Sequence, residues 1–277
     1  MLVLAGAGLG PGYQGRLLED LVASAWRVYV DTYTMPGASW LLEWARRVAR
    51  DRVVEAPRHV LEQGGARIVE EARDRLVVVL VAGDPLIATT HRSLVVEAAR
   101  RGVGYRVIPG VSGVCSAKAA SMLDYYKFGR TVTVPGPWRM VKAYSIVEYL
   151  LYNACGGMHT LLLLDIDGEG RQLHPGEAAG IVLSLAGELG VSSLLEGSPA
   201  ILVEAAGLEN GRVRVFERLS TLAAWRGGFA EPASIIVPGT LAAYEREALE
   251  AVLGLDPGPG IGGAPACRAL EKAREHG

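Results

Sequence analysis

The stretch RLVVVLVAGDPLIATTH, Arg75–His91, decides the fold. From Leu76 to Ala82 it is apolar at consecutive positions, the pattern of a strand buried on both faces of a parallel sheet. Gly83 then permits a bend, Asp84 places an acceptor at the strand's carboxyl end, and Pro85 stops the strand. Thr89 and Thr90 are predicted to cap a helix that opens near His91. Four further runs, Leu2–Ala5, Val28–Asp31, Val53–Ala56 and Tyr105–Ile108, also read as strands. Helical patterns lie between them at Gln14–Ala25, Trp40–Arg50, Val60–Arg73 and His91–Arg101. This alternation predicts an α/β domain with a mainly parallel sheet, whose ligands bind at the carboxyl ends of its strands.

The character changes after Phe128-Gly129. Strand runs there are Arg130–Val134, His159–Ile166, Ala200–Ala206, Arg212–Phe216 and Ala233–Pro238. The last connections are too short for crossover helices, which predicts a partly antiparallel, mixed sheet. The expected division is therefore an N-terminal α/β domain over 1–128, a C-terminal α/β domain over 129–254, and a tail over 255–277. Within that tail, DPGPGIGGAP (Asp256–Pro265) is too rich in Gly and Pro to continue a helix, so the tail is expected to dock loosely.

Composition excludes several classes. The 277 residues are 50% hydrophobic with a net charge of -2, which rules out disorder as the main state. A pI of about 6.2 provides no broad cationic surface for nucleic acid. No apolar run reaches the ~18 residues of a membrane span, and no charged leader precedes a cleavable segment. Cys115, Cys155 and Cys267 are far apart and odd in number, which argues against a disulfide framework and favours a reducing cytoplasm. The histidines do not cluster at metal-ligand spacing, so no metal is expected.

Three segments have the composition of ligand loops. GAGLGPGYQG (Gly6–Gly15) follows a strand; its Gly10, Gly12 and Gly15 match G-x-G-x-x-G, with Asp31 ending the next strand. That pattern fits either a dinucleotide contact or a tight packed turn, and a Walker phosphate loop is excluded because Arg16-Leu17 follows. In GDPLIATTH, Asp84 suits ligand contact by location, the alternative being a turn-former bonded to backbone. His91 there reads as structural. In IPGVSGVCSAKAASMLDYYKFGR (Ile108–Arg130), the small residues Ser112, Gly113 and Ser116 suit either a flat ligand against backbone or close helix–sheet packing.

Together GDPLIATTH, the SAxxxxxLxxYKFG pattern of Ser116–Gly129, HTLLLLDI and the terminal IIVPG resemble the diphthine synthases. That family belongs to the tetrapyrrole methylase (class III methyltransferase) superfamily, which uses S-adenosylmethionine. The resemblance runs from the first strand to about Ala251. It implies two α/β domains with the active site in the cleft between them. It also implies transfer of methyl groups to the amino group of a modified histidine on translation elongation factor 2, yielding diphthine, by a cytoplasmic homodimer. Carried over motif by motif, the cofactor contacts are Leu9, Asp84, Ile87, Ser112, Gly113, Leu164, Ala206 and Ala233. The family usually has histidine at the last position, in PPH; here Glu231-Pro232-Ala233 can offer only a backbone contact. No catalytic base is identified. The competing readings are a tetrapyrrole methyltransferase, a nicotinamide-dependent dehydrogenase using Gly10–Gly15 and Asp31, and a scaffold that binds without turnover.

Overall fold

A computed structural model describes residues 1–254, 258 and 260–276. The chain divides into two compact units, Met1–Ser116 and Ala117–Gly277. The first contains β1 (Leu2–Gly6), α1 (Arg16–Ser24), β2 (Arg27–Asp31), α2 (Ser39–Ala49) and β3 (Val53–Ala56). It continues with α3 (Arg58–Glu62), α4 (Gly65–Glu71), β4 (Val77–Val81), α5 (Arg92–Arg100) and β5 (Tyr105–Ile108). Helix α6 (Gly113–Ala120) runs across the division.

The five strands form one all-parallel sheet in the order β3-β2-β4-β1-β5. Burial on both faces follows directly from the consecutive apolar residues. Leu2, Leu4, Val77, Val79 and Val81 fill one core, while Val3, Ala5, Val78 and Leu80 fill the other. The single helix expected over Val60–Arg73 is instead two pieces, α3 and α4. Gly64 sits at the break, where any side chain would collide with the Val60 carbonyl.

The second unit contains β6 (Val132–Val134), α7 (Ser145–Cys155), β7 (Thr160–Leu164), α8 (Pro175–Glu188) and α9 (Ser192–Glu196). After these come β8 (Ala200–Glu204), β9 (Arg212–Phe216), α10 (Leu219–Ala224), β10 (Ala233–Val237), α11 (Ala243–Leu253) and α12 (Gly263–His276). Its sheet has the order β6-β7-β10-β8-β9; only the β6–β7 pair is parallel. The mixed sheet is as the short connections required. Val132, Leu162, Leu202 and Ile235 pack there against α7, α8 and α12.

The units divide about a dozen residues before the expected Phe128–Gly129 boundary. The reason is that the YKFG segment is bonded into the second unit: Phe128 bridges His159, and the His159 N–H donates to the Lys127 carbonyl at 2.8 Å. Gly129 is needed because a side chain there would collide with the Asn153 amide. That amide accepts from the Arg130 N–H at 3.0 Å and donates to its carbonyl at 2.9 Å.

The tail also departs from expectation. Asp256, Pro257 and Pro259 lie outside the described residues, but α12 buries Ala266, Leu270 and Ala273 against the second core. Cys267 on α12 is disulfide-bonded to Cys155 on α7, 112 residues earlier. The absence of a disulfide framework was expected from count and spacing; helix packing, which neither reports, brings these two cysteines together. Among the described residues no helix is long and apolar enough to cross a membrane.

Closing so long a loop predicts that Cys267→Ser, or reduction of the wild type, lowers unfolding free energy by about 2–4 kcal/mol. Chemical denaturation with and without reductant reads this, and coincident curves would contradict it.

Candidate donor-binding site

Five of the eight carried-over positions lie in the first unit, and its sheet order gathers them. Leu9 follows β1, Asp84 and Ile87 follow β4, and Ser112 and Gly113 follow β5; these are three adjacent parallel strands. Their carboxyl ends are stitched together by main chain. The Gly83 N–H donates to the Gly8 carbonyl at 2.7 Å, and the Ala7 N–H donates to that of Val81 at 2.8 Å. A side chain at Gly110 would strike the Gly83 carbonyl, so the third loop approaches equally closely.

Asp84 locks this arrangement. Its Oδ1 accepts from the Leu86 N–H at 2.9 Å and its Oδ2 from the Gly110 N–H at 3.2 Å. The carboxylate therefore shapes the loops after β4 and β5, which joins the turn-forming role to the ligand-side location. Beyond it, Pro85 O accepts from the Thr89 hydroxyl at 2.6 Å and lies 3.2 Å from His91 Nδ1. The threonines do not cap α5, because Thr89 reaches back and Thr90 donates to Glu62. His91 is buried, with Nε2 3.2 Å from Asp31 Oδ2 but outside hydrogen-bond geometry. Its role is to hold the loop, as its reading as structural requires. Ile87 stays 39% exposed and Val111 45% exposed, an apolar surface at the sheet's carboxyl edge. Ala88, the residue after Ile87, has φ 57°, a conformation that a β-carbon makes costly and that recurs at ligand loops.

The dinucleotide reading fails on topology. In the dinucleotide fold the strand after the glycine loop lies beside the first; here β4 separates β1 from β2. Asp31 is also committed: it accepts from the N–H groups of Tyr33 and Thr34 and from the Thr34 hydroxyl. The Gly10–Gly15 loop is a self-tied turn, in which Gln14 Nε2 donates to the carbonyls of Ala7 and Gly10, each at 2.8 Å.

In the second unit Leu164 ends β7, Ala206 follows β8 and Ala233 opens β10. Those strands are neighbours, and their antiparallel pairing puts all three positions on one edge of the sheet. Two acids missed by the sequence reading organise this edge. Asp165 accepts from Arg139 Nε at 2.7 Å and Nη2 at 2.9 Å, from Trp138 Nε1 at 3.0 Å and from the Gly136 N–H at 3.1 Å. Burial pushes its pKa up, but the Arg139 guanidinium and the loop amides outweigh it and leave the group below its ordinary value.

Glu204 is fully buried and accepts from Arg212 Nε at 2.9 Å, Arg214 Nε at 2.6 Å and the Ala230 N–H at 2.8 Å. Here too burial raises the pKa and the Ala230 amide and the two arginines bring it down. Next to it, Ala205 has φ 46° and donates its N–H to the Pro232 carbonyl at 2.8 Å. An acid in the otherwise apolar run AILVEAA was the available signal. Ala233 itself is paired with the side chain of Gln172.

Lys127 of YKFG, a motif specific to the resemblance, is structural. It forms an ion pair with Glu245, which is fully buried and also accepts from His159 Nε2 at 2.8 Å and the N–H groups of Asp124 and Ala242. The Gly239 N–H donates to His159 Nδ1, so the proton sits on Nε2 and the ring is neutral. Burial, acting against Glu245, holds that imidazole below its usual range. For Glu245 burial acts upward, but hydrogen bonds from Lys127, Ala242, Asp124 and His159 hold the carboxyl down at about 2. Among the described residues no group of three or more His, Cys, Asp or Glu could hold a metal ion.

A family model described as Tetrapyrrole (Corrin/Porphyrin) Methylases matches residues 1–223. A diphthine synthase of Aeropyrum pernix is 44% identical over 91% of this chain and 87% of its own length. Among solved structures, a conserved hypothetical protein of Aeropyrum pernix K1 has TM-score 0.89 and 40% identity, over 99% of this chain and 96% of that one. A diphthine synthase has TM-score 0.77 and 28% identity, over 91% and 95%. The chain belongs to the tetrapyrrole methylase family and, within it, to the diphthine synthases.

Glu245 has a folded pKa depressed from 4.5 to about 2, so its stabilisation is complete above pH 4.5 and is lost as pH falls through about 2. Lys127→Met, which leaves that buried carboxylate short of its cation, is expected to cost about 3 kcal/mol at pH 7. Denaturant titrations at pH 7 and pH 3 should show the gap between wild type and variant narrowing in acid; a constant gap would contradict the assignment.

Proposed function

We propose that the chain transfers methyl groups from S-adenosylmethionine, successively, to the amino group of the modified histidine, the diphthamide precursor, on translation elongation factor 2. Support comes from the relatives named diphthine synthase and from one structural observation. All eight positions carried over from the family motifs fall at strand ends, each set on one edge of its own sheet.

The residues present fit such a donor. The first unit offers main chain at Leu9, Ser112 and Gly113, a Gly113 whose β-face meets only Leu9, and the exposed apolar Ile87. The second offers main chain at Leu164, Ala206 and Ala233. The bound donor would supply a sulfonium methyl, to whose carbon a nitrogen lone pair bonds in line as the carbon–sulfur bond breaks and the neutral thioether leaves.

What the chain must supply is position. Asp84 is the one ionisable side chain among the eight positions, and both its oxygens already accept backbone N–H groups. No base from this set is needed. An amine of pKa about 8 is about a tenth neutral at pH 7, a cost of about 1–1.5 kcal/mol. In-line positioning supplies about 7–11 kcal/mol, far more than deprotonation demands. The proton released on each transfer leaves to water.

The same resemblance supports a homodimer, and a translation factor as substrate supports a cytoplasmic location. Neither nucleic acid nor a membrane is a direct partner in this reading.

Mass spectrometry of elongation factor 2 carrying the aminocarboxypropyl-histidine precursor, after incubation with enzyme and donor, tests the proposal. Successive additions of the mass of one methyl group in place of hydrogen are expected on that residue; no addition, with methylation of a tetrapyrrole instead, would overturn it. Asp84→Ala should weaken S-adenosylhomocysteine binding by at least about tenfold, because hydrogen bonds to a charged group contribute about 1.5–3 kcal/mol. Circular dichroism should stay unchanged; global unfolding would leave only the turn-forming role. Ala233→Trp is expected to exclude the donor, and unaltered affinity would remove Ala233 from the site.

A further inference from the structure

Strands β7 and β10 pair as far as Ser234 with Leu163. One residue further out, regular continuation would set Leu164 opposite Ala233. Instead the Ala233 N–H donates to Gln172 Oε1 at 2.7 Å, and Gln172 Nε2 donates to the Ala233 carbonyl at 2.9 Å. A primary amide in this orientation presents one donor and one acceptor, as a peptide unit does. The side chain thus continues the ladder that the main chain of β7 leaves.

The loop after β7 delivers Gln172 to that place by doubling back. The Leu173 N–H donates to the Asp165 carbonyl at 2.8 Å, and Ile166 bridges Gln172 in antiparallel fashion. Asp167 closes the tip, accepting from the N–H groups of Glu169 at 2.8 Å and Arg171 at 2.9 Å. At its base, the Gln172 N–H donates to Glu231 Oε1 at 3.4 Å, two residues before Ala233. Ala233 is only 2% exposed, so its N–H and carbonyl require partners.

We propose that Gln172 is a positioning residue for the methyl donor: its amide fixes the main chain of Ala233, where this chain has no side chain able to do so. The inference rests on the donor-site reading above. Gln172 touches no reacting atom in this account; it sets the shape of the wall against which the donor is held. Its loss is therefore expected to appear in donor affinity rather than in the turnover of bound complexes.

Isothermal titration of S-adenosylhomocysteine into wild type, Gln172→Ala and Gln172→Met tests this, alongside donor KM and kcat on the elongation factor precursor. Methionine preserves the side chain's length without its amide, so it reports should the alanine variant fail to fold. Both variants are expected to bind about tenfold more weakly, with donor KM raised to match and kcat changed less than about threefold. Wild-type affinity in either folded variant would overturn the proposal alone. A fall in kcat with KM unchanged would also overturn it. Failure of the wild type itself to bind would overturn the donor-site reading and this inference with it.

Discussion

A carboxylate withdrawn from water at the end of a strand must find donors, because an unpaired buried charge costs far more than a hydrogen bond returns. The loops of both units are shaped by that requirement. Asp31, Asp84, Asp165 and Glu204 each stand at or just beyond a strand's carboxyl end. Each accepts from N–H groups of a loop near that end. The loop paths follow from these bonds: Asp84 draws the turns after β4 and β5 together, and Glu204 ties the approach to β10 to the end of β8.

Chemistry is constrained in turn. Acids in such positions would ordinarily be candidates for proton transfer, but each of these already accepts two or more hydrogen bonds, and Asp165 and Glu204 are held below their usual carboxylate range. In the donor-site reading proposed above, main-chain atoms and apolar side chains make the remaining contacts. That suits methyl transfer to an amine, where alignment outweighs deprotonation by several kcal/mol. The main chain at 233 is fixed by the Gln172 amide, reached through the hairpin after β7.

Much of this was legible in the sequence because the strands are runs of consecutive apolar residues, and the short links after Ala200 demanded antiparallel pairs. Motif spacing placed Asp84 at a strand end, yet its exact partners depend on how closely Gly6, Gly83 and Gly110 approach, which is a tertiary fact. The G-x-G-x-x-G match misled because it carries no information on strand order. Attention to the Gly/Pro run hid α12, although Ala266, Leu270 and Ala273 recur at helical spacing. Gln172 gave no signal, since it meets Ala233 61 residues away; Glu245 stands in the first turn of α11, but its partners His159 and Lys127 lie 86 and 118 residues away.

A crystal structure of the chain saturated with S-adenosylhomocysteine tests the central claim most directly, that side chains hold the loops and the loops' main chain holds the donor. The account predicts donor contacts at the main chain of Leu9, Ser112, Gly113, Leu164, Ala206 and Ala233, with Asp84 still accepting from Leu86 and Gly110. A donor bound away from these strand ends, or an Asp84 carboxylate turned from both amides to take it, would contradict it.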